Sequence, residues 1–216
     1  LRSQQNWKKA QDAGFFAKET MSVTVTQPRK PEQIISVDEH ARPDTTPEIL
    51  AKLKGVVREG GSVTAGNSSG INDGACALLM ATPEAAKQHG LTPRARIVGM
   101  ATAGVPPRIM GMGPVPAVEK VMQLTGLSLA QMDVIEFNEA FAAQALAVCR
   151  RLGLGDNDPR VNPNGGAIAI GHPLGASGSR LVTTALNQLE HIEGRYALCS
   201  MCVGVGQGIA LIIERM

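Results

Sequence analysis

Aromatic residues are scarce in this chain: one Trp, one Tyr and four Phe, 3% of 216 residues. A core with so few rings must be filled by Ala, Val, Ile, Leu and Met at close range. That suits helices layered on a sheet and disfavours an aromatic-rich β-sandwich. An excess of one charge is missing too. Lys and Arg total 21 against 19 Asp and Glu, and a net charge of +2 is too small to point to nucleic acid or an anionic membrane. No apolar run approaches the about 20 residues of a membrane span, and no signal-peptide pattern opens the sequence. The four cysteines, Cys76, Cys149, Cys199 and Cys202, are spread through the chain. Reduced thiols in a cytoplasm are the expectation, not a disulfide framework. The first residue is Leu1, so the chain reads as processed, cropped or a fragment.

What is present is a succession of short periodic segments. Residues 4–20 read as a polar amphipathic helix, and residues 21–47 as a Pro-rich loop with a strand or two. Thr46 before Pro47 starts a helix over about 47–55. SVTAG reads as a strand, NSSG as a turn, 72–81 as a small-residue helix, and Pro83 to Gly90 as another helix. From residue 94 strands and helices alternate: a strand in RARIVGMATAGV, a helix over 114–125, a strand in DVIEF, a helix from NEAF to Gly153 or Gly155. A further helix, ASGSRLVTTALNQLEHI, precedes a closing β-hairpin. The pattern is that of an α/β layered domain.

Four stretches carry candidate chemistry. In PNGGAIAIGHPLGASGSR, over 163–180, glycines crowd around His172. Neither G-x-G-x-x-G nor a P-loop is present, so these glycines serve close backbone approach and not a nucleotide phosphate. His172 reads either as a structural histidine bonded to its loop or as an acid–base residue. Asn138, where the strand DVIEF meets a helix, reads as an N-cap with Glu139 in the first turn, or as a group at the ligand-binding end of a strand. Cys199 and Cys202 form C-x-x-C, but no second pair exists to complete a zinc site. Residues three apart on a strand also face opposite sides. Cys202, at the lip of a Gly-rich turn, is placed for an exposed thiol, with Gly204 able to aim an N–H at a ligand; the alternative is a small buried residue. In TAGNSSG, residues Gly66, Ser69 and Gly70 make either a plain turn or a small surface that a narrow ligand arm can cross.

Taken together and in this order, VTAGNSSGINDGA, NEAFAAQ, NPNGGAIAIGHPLGASGSR and CVGVGQG resemble the thiolases, the acyl-CoA C-acetyltransferases. AGVPPRIMGMGPVPA and MCVGVGQGIALIIER are most similar to the branch acting on 3-oxoadipyl-CoA. The resemblance implies the layered αβαβα fold, of which this chain holds the C-terminal α/β domain over 94–216. It also implies the remainder of a coenzyme-A loop domain over 1–71 and a last piece of the N-terminal domain over 72–93. His172 would activate a nucleophilic cysteine and help hold a thioester oxygen. Asn138 would position a water at the same oxyanion site. Cys202 would move a proton on and off the acetyl methyl carbon, and Gly204 would donate a backbone N–H to a second oxyanion hole. Ser69, Gly70 and Arg42 would contact coenzyme A, and Phe141 would line the pocket.

No metal or cofactor beyond coenzyme A and acetyl-CoA as substrates is implied. Thiolases carry the acyl group on a cysteine in a C-S-S-G-like motif of the N-terminal half, and neither Cys76 nor Cys149 matches it. The expected partners are acyl-CoA, coenzyme A and an N-terminal half, with the full enzyme a homo-oligomer. The chain alone is expected to be inactive and to expose a broad apolar surface. Two other readings remain: a non-catalytic acyl-CoA-binding or assembly module, and a redox or zinc protein using Cys199 and Cys202.

Overall fold

The computed structural model describes residues 1–216. Helix α1 (Arg2–Asp12) ends before Gly14, whose φ of 72° breaks the long helix expected over 4–20 into this helix and a 3-10 turn at Phe15–Lys18. Strands β1 (Val23–Val25) and β2 (Gln33–Ile35) form an antiparallel ribbon. Helix α2 (Pro47–Ala51) starts at the expected Thr46, whose hydroxyl accepts from Ile49 N–H, but ends four residues early. SVTAG forms only an isolated bridge, Gly55 to Thr64. Helix α3 (Pro83–Gln88) is capped by Thr82 in the same way as α2.

Residues 72–82, expected to begin as a helix, have no regular secondary structure. Side-chain contacts override the local pattern. Cys76 Sγ lies 3.3 Å from Thr183 Oγ1, and Asn72 bonds across the fold rather than to its own turn. This stretch and its neighbours leave Ile71, Leu79 and Met80 largely exposed.

The remaining elements build the main sheet and its covers. They are β3 (Ala95–Gly104), α4 (Pro114–Thr125), β4 (Val134–Phe137), α5 (Ala142–Arg151), α6 (Ala167–Ile170), α7 (Ser177–His191), β5 (Tyr196–Val203) and β6 (Gln207–Arg215). The sheet order is β3-β6-β5-β4; β3, β6 and β5 pair antiparallel, and β4 joins β5 in parallel.

The two-residue period of the strands sorts side chains to two cores. Ile135, Phe137, Leu198 and Ile212 pack on α4 and α5, with Val118, Val121 and Val148. Val134, Ala197, Cys199 and Ile213 pack on α7, where Leu181, Ala185 and Leu189 recur every four residues along one face. Cys199 and Cys202 therefore point to opposite faces of β5. No helix is long and apolar enough to cross a membrane.

Candidate active site

Three of the motifs meet beyond the carboxyl ends of the parallel pair β4 and β5. The segment Asn67–Asn72 runs between the other two loops. Ser69 N–H donates to Ala140 O and Ala142 N–H to Asn67 O, while His172 N–H donates to Gly70 O at 3.1 Å. Asn72 Oδ1 accepts from the same N–H at 3.3 Å. Gly171, with φ of 87°, is required here: a β-carbon would fall inside contact distance of the Asn72 amide.

The half-buried imidazole of His172 is held at both nitrogens. Ser177 Oγ, in the first turn of α7, lies 2.6 Å from Nδ1 and donates its own proton to Pro173 O at 3.1 Å. A hydroxyl has one proton; given to Pro173 O, it leaves Oγ to accept from Nδ1–H, the tautomer in which Nε2 keeps a lone pair for the Asn138 amide. Asn138 Nδ2 donates to Nε2 at 3.4 Å. Burial, and next the positive charge of Arg180, hold His172 below the ordinary histidine value, so the ring is a neutral base at neutral pH.

Asn138 is not the helix cap that its sequence position suggests. It is 1% exposed, its N–H donates to Ser200 O, and α5 begins only at Ala142, with Phe141 in the cap position. Its Oδ1 is buried without a partner, an acceptor suited to a water or ligand donor. Glu139, expected in the first turn of α5, instead accepts from Ser3 Oγ, Asn162 Nδ2 and Ile168 N–H. It fastens the loop to α6.

Cys202 lies two residues beyond Ser200 on β5. The expected exposed thiol is 6% exposed, because β5 runs on to Val203 and pairs Cys202 with Gly208. Burial pushes the thiol up, its backbone hydrogen bond offsetting this in part, and no neighbouring cation pulls it down. The surroundings of Cys202 in this chain thus favour the thiol over the thiolate. Gly204 sits in the exposed turn between β5 and β6, its N–H unpaired within the chain.

Ser69 and Phe141 are half-buried at the junction of the loops, with Ser68 bridged to Phe141. Gly70 abuts His40. Arg42 stands apart: its exposed guanidinium folds back on the carbonyls of Glu39, His40 and Ala41. Ser177, Asn72 and His40 escape a reading of the sequence, since a serine at a helix start reads as a cap. Asn72 Nδ2 lies 3.3 Å from His40 Nδ1. No cluster of three or more His, Cys, Asp or Glu is arranged to hold a metal.

Comparison with known proteins identifies the family and the fold. Residues 91–215 match the family model for the thiolase C-terminal domain, and residues 1–84 that for the thiolase N-terminal domain. The chain is 64% identical to a beta-ketoadipyl-CoA thiolase of Acinetobacter baylyi, covering 99% of this chain and 53% of that protein. It superposes on human mitochondrial 3-ketoacyl-CoA thiolase with a TM-score of 0.95 at 51% identity, over 100% of this chain and 54% of that one. Against the human enzyme in complex with CoA the TM-score is 0.93 at 51% identity, over 100% and 53%. The chain thus spans about half the length of the relatives it matches.

Proposed function

The chain belongs to the thiolase family, and on that premise we propose that its site carries out the proton and oxyanion chemistry of 3-oxoacyl-CoA thiolysis, with 3-oxoadipyl-CoA as substrate. The observation that carries this reading is the pair at the strand ends: a lone pair on His172 Nε2 beside an Asn138 amide whose Oδ1 is unpartnered.

His172 Nε2 takes the proton from the acyl-accepting cysteine of the complete enzyme. The Nε2–H so formed donates to the thioester oxygen of the departing acetyl-CoA enolate, beside a water held by Asn138. Donors fixed in place before the charge develops are what such a transition state requires. The freed thiolate bonds to the 3-oxo carbon, the bond from that carbon to the acetyl-CoA methylene breaks, and Cys202 gives its proton to the enolate carbon so that acetyl-CoA leaves. Burial keeps the Cys202 thiol protonated at neutral pH, so its proton is in place when the enolate forms. Coenzyme A then gives its thiol proton to Cys202 and attacks the acyl-cysteine; the shortened acyl-CoA departs and the released cysteine takes its proton back from His172. Gly204 N–H faces the second oxyanion. Ser69, Gly70 and Phe141 line the entry of the coenzyme A arm, and Arg42 swings out to its phosphates. These residues move every proton in the scheme, so no metal or reductant is called for. The acyl-carrying cysteine lies outside these 216 residues: Cys149 is buried in α5 and Cys76 faces Thr183. The partner is the N-terminal half of the enzyme, whose complete form is an oligomer. Four free thiols suit a reducing cytoplasm.

The test is co-expression with the N-terminal half of the Acinetobacter baylyi relative. The chain alone is expected to show no thiolysis, and the complex to cleave 3-oxoadipyl-CoA faster than acetoacetyl-CoA. The acid limb of its pH profile should lie below the ordinary histidine value, since lowered proton affinity keeps His172 neutral to lower pH. A folded complex without turnover, or turnover by the chain alone, would overturn the proposal.

A further inference from the structure

The least explained group in the molecule is a buried bridge that the chemistry above does not use. Glu136, on β4, is 0% exposed, and its Oε2 accepts from Arg180 Nη1 at 3.2 Å. The other carboxyl oxygen, Oε1, and the other guanidinium nitrogen, Nη2, are buried with no partner. Such a bridge is a poor source of stability, because desolvating both groups offsets most of their attraction. Replacing one like it by apolar side chains is often neutral or stabilising.

Its position is more informative. Glu136 is two residues before Asn138, on the strand that delivers that amide. Arg180 is one helical turn after Ser177, the residue that holds His172 Nδ1. We propose that Glu136 and Arg180 are a positioning pair for His172 and Asn138: the bridge fixes the start of α7 against the end of β4 and sets a positive charge behind the imidazole.

The carboxyl of the pair is fully buried and the guanidinium is only 17% exposed, which gives that charge its reach. Glu19, Asp38, Glu139 and Cys199 face the pair from their separate elements. Glu19 accepts from Thr184 Oγ1 at 3.1 Å and Asn187 Nδ2 at 2.8 Å, both on α7. Burial pushes Glu136 up to about 8 against the pull of Arg180, with Glu19 and Glu139 adding to the rise. Raised proton affinity lowers the mean negative charge of the carboxyl, so it cancels the arginine charge only in part. That charge works with burial to keep His172 neutral with its Nε2 lone pair free. Neither Glu136 nor Arg180 touches the reacting atoms in this scheme; both act through His172 and Asn138.

The inference rests on the proposed role of His172, but its test reads the imidazole itself and not turnover, so the two can fail separately. His172 is titrated by nitrogen-15 NMR in the 216-residue chain, in R180K, in R180M and in the double variant E136M/R180M. R180K keeps the charge and should keep the low midpoint. R180M should raise the midpoint by on the order of half a pH unit, since a cation that opposed the imidazolium is gone. The double variant removes both buried polar partners, so it should fold even if R180M does not, and should show the same rise. An unchanged His172 midpoint in a folded variant lacking Arg180 would overturn the proposal.

Discussion

Replacing His172 by alanine in the complemented enzyme is expected to lower kcat by about 10²–10⁴-fold, the range for loss of a positioned acid–base group. Coenzyme A affinity should change little, because the ring lies at the reacting end of the site and not along the nucleotide arm. The loss should fall on kcat and kcat/KM together, the mark of an interaction made only in the transition state. The Asn138→Ala variant should be impaired as well. Because Asn138 Nδ2 and His172 Nε2 are 3.4 Å apart, the double variant should lose less than the product of the two single losses. Steady-state kinetics on the four proteins checks this. A strictly multiplicative double variant would mean that the two residues do not act as one unit.

Replacing Gly206 by alanine should be among the most destabilising single changes in the chain. Gly206 has φ of +91°, and a β-carbon there would fall inside contact distance of the backbone oxygen of Val105, which is not free to move. Val105 N–H donates to Gly206 O at 2.7 Å, so the collision disrupts a bond that closes the hairpin against the turn after β3. Val205 already holds a left-handed φ of 59°, leaving little slack for a second strained residue. Left-handed backbone strain and overpacking each cost about 1–3 kcal/mol, so a combined loss of roughly 2–6 kcal/mol is expected. Urea unfolding should show a midpoint reduced accordingly. Gly204→Ala is the control: open space surrounds that position, so its stability should be nearly unchanged. Equal effects at the two glycines would contradict the account of the turn.

Much of the architecture was legible because its signals are local. Thr46 and Thr82 before prolines start helices where expected, and Gly126, left-handed at φ of 69°, ends α4. Alternation in β4, β5 and β6 separates the two cores. The failures occur where distant residues decide. Asn72 and His172 are 100 residues apart, and the hydrogen bond between them ties Asn72 across the fold, at the head of a stretch, 72–82, that has no regular structure. Asn138 looks like a cap until Ser200, on a strand more than sixty residues later, claims its N–H. The exposure expected of Cys202 failed because β5 continues one residue past it.

The candidate site residues were singled out mainly through the resemblance. Read by themselves, His172, Asn138 and Cys202 each admitted an ordinary structural role. The meeting of His172 and Asn138 at the end of β4 depends on backbone bonds from Asn67–Asn72, a stretch that reads as a turn. Ser177 and the Glu136–Arg180 bridge were missed because their roles are set by partners on other elements.

The most direct measurement is deuterium wash-in to the acetyl methyl group of acetyl-CoA in D₂O, with no acyl acceptor present. The complemented enzyme is compared with its H172A, N138A and C202S variants. Exchange is predicted in the unmodified complex, greatly slowed without His172 or Asn138, and abolished in C202S, since the thiol is the group that exchanges with the carbon. Exchange undiminished in C202S would show that another base works at that carbon, and the roles assigned here to β5 and its turn would be wrong.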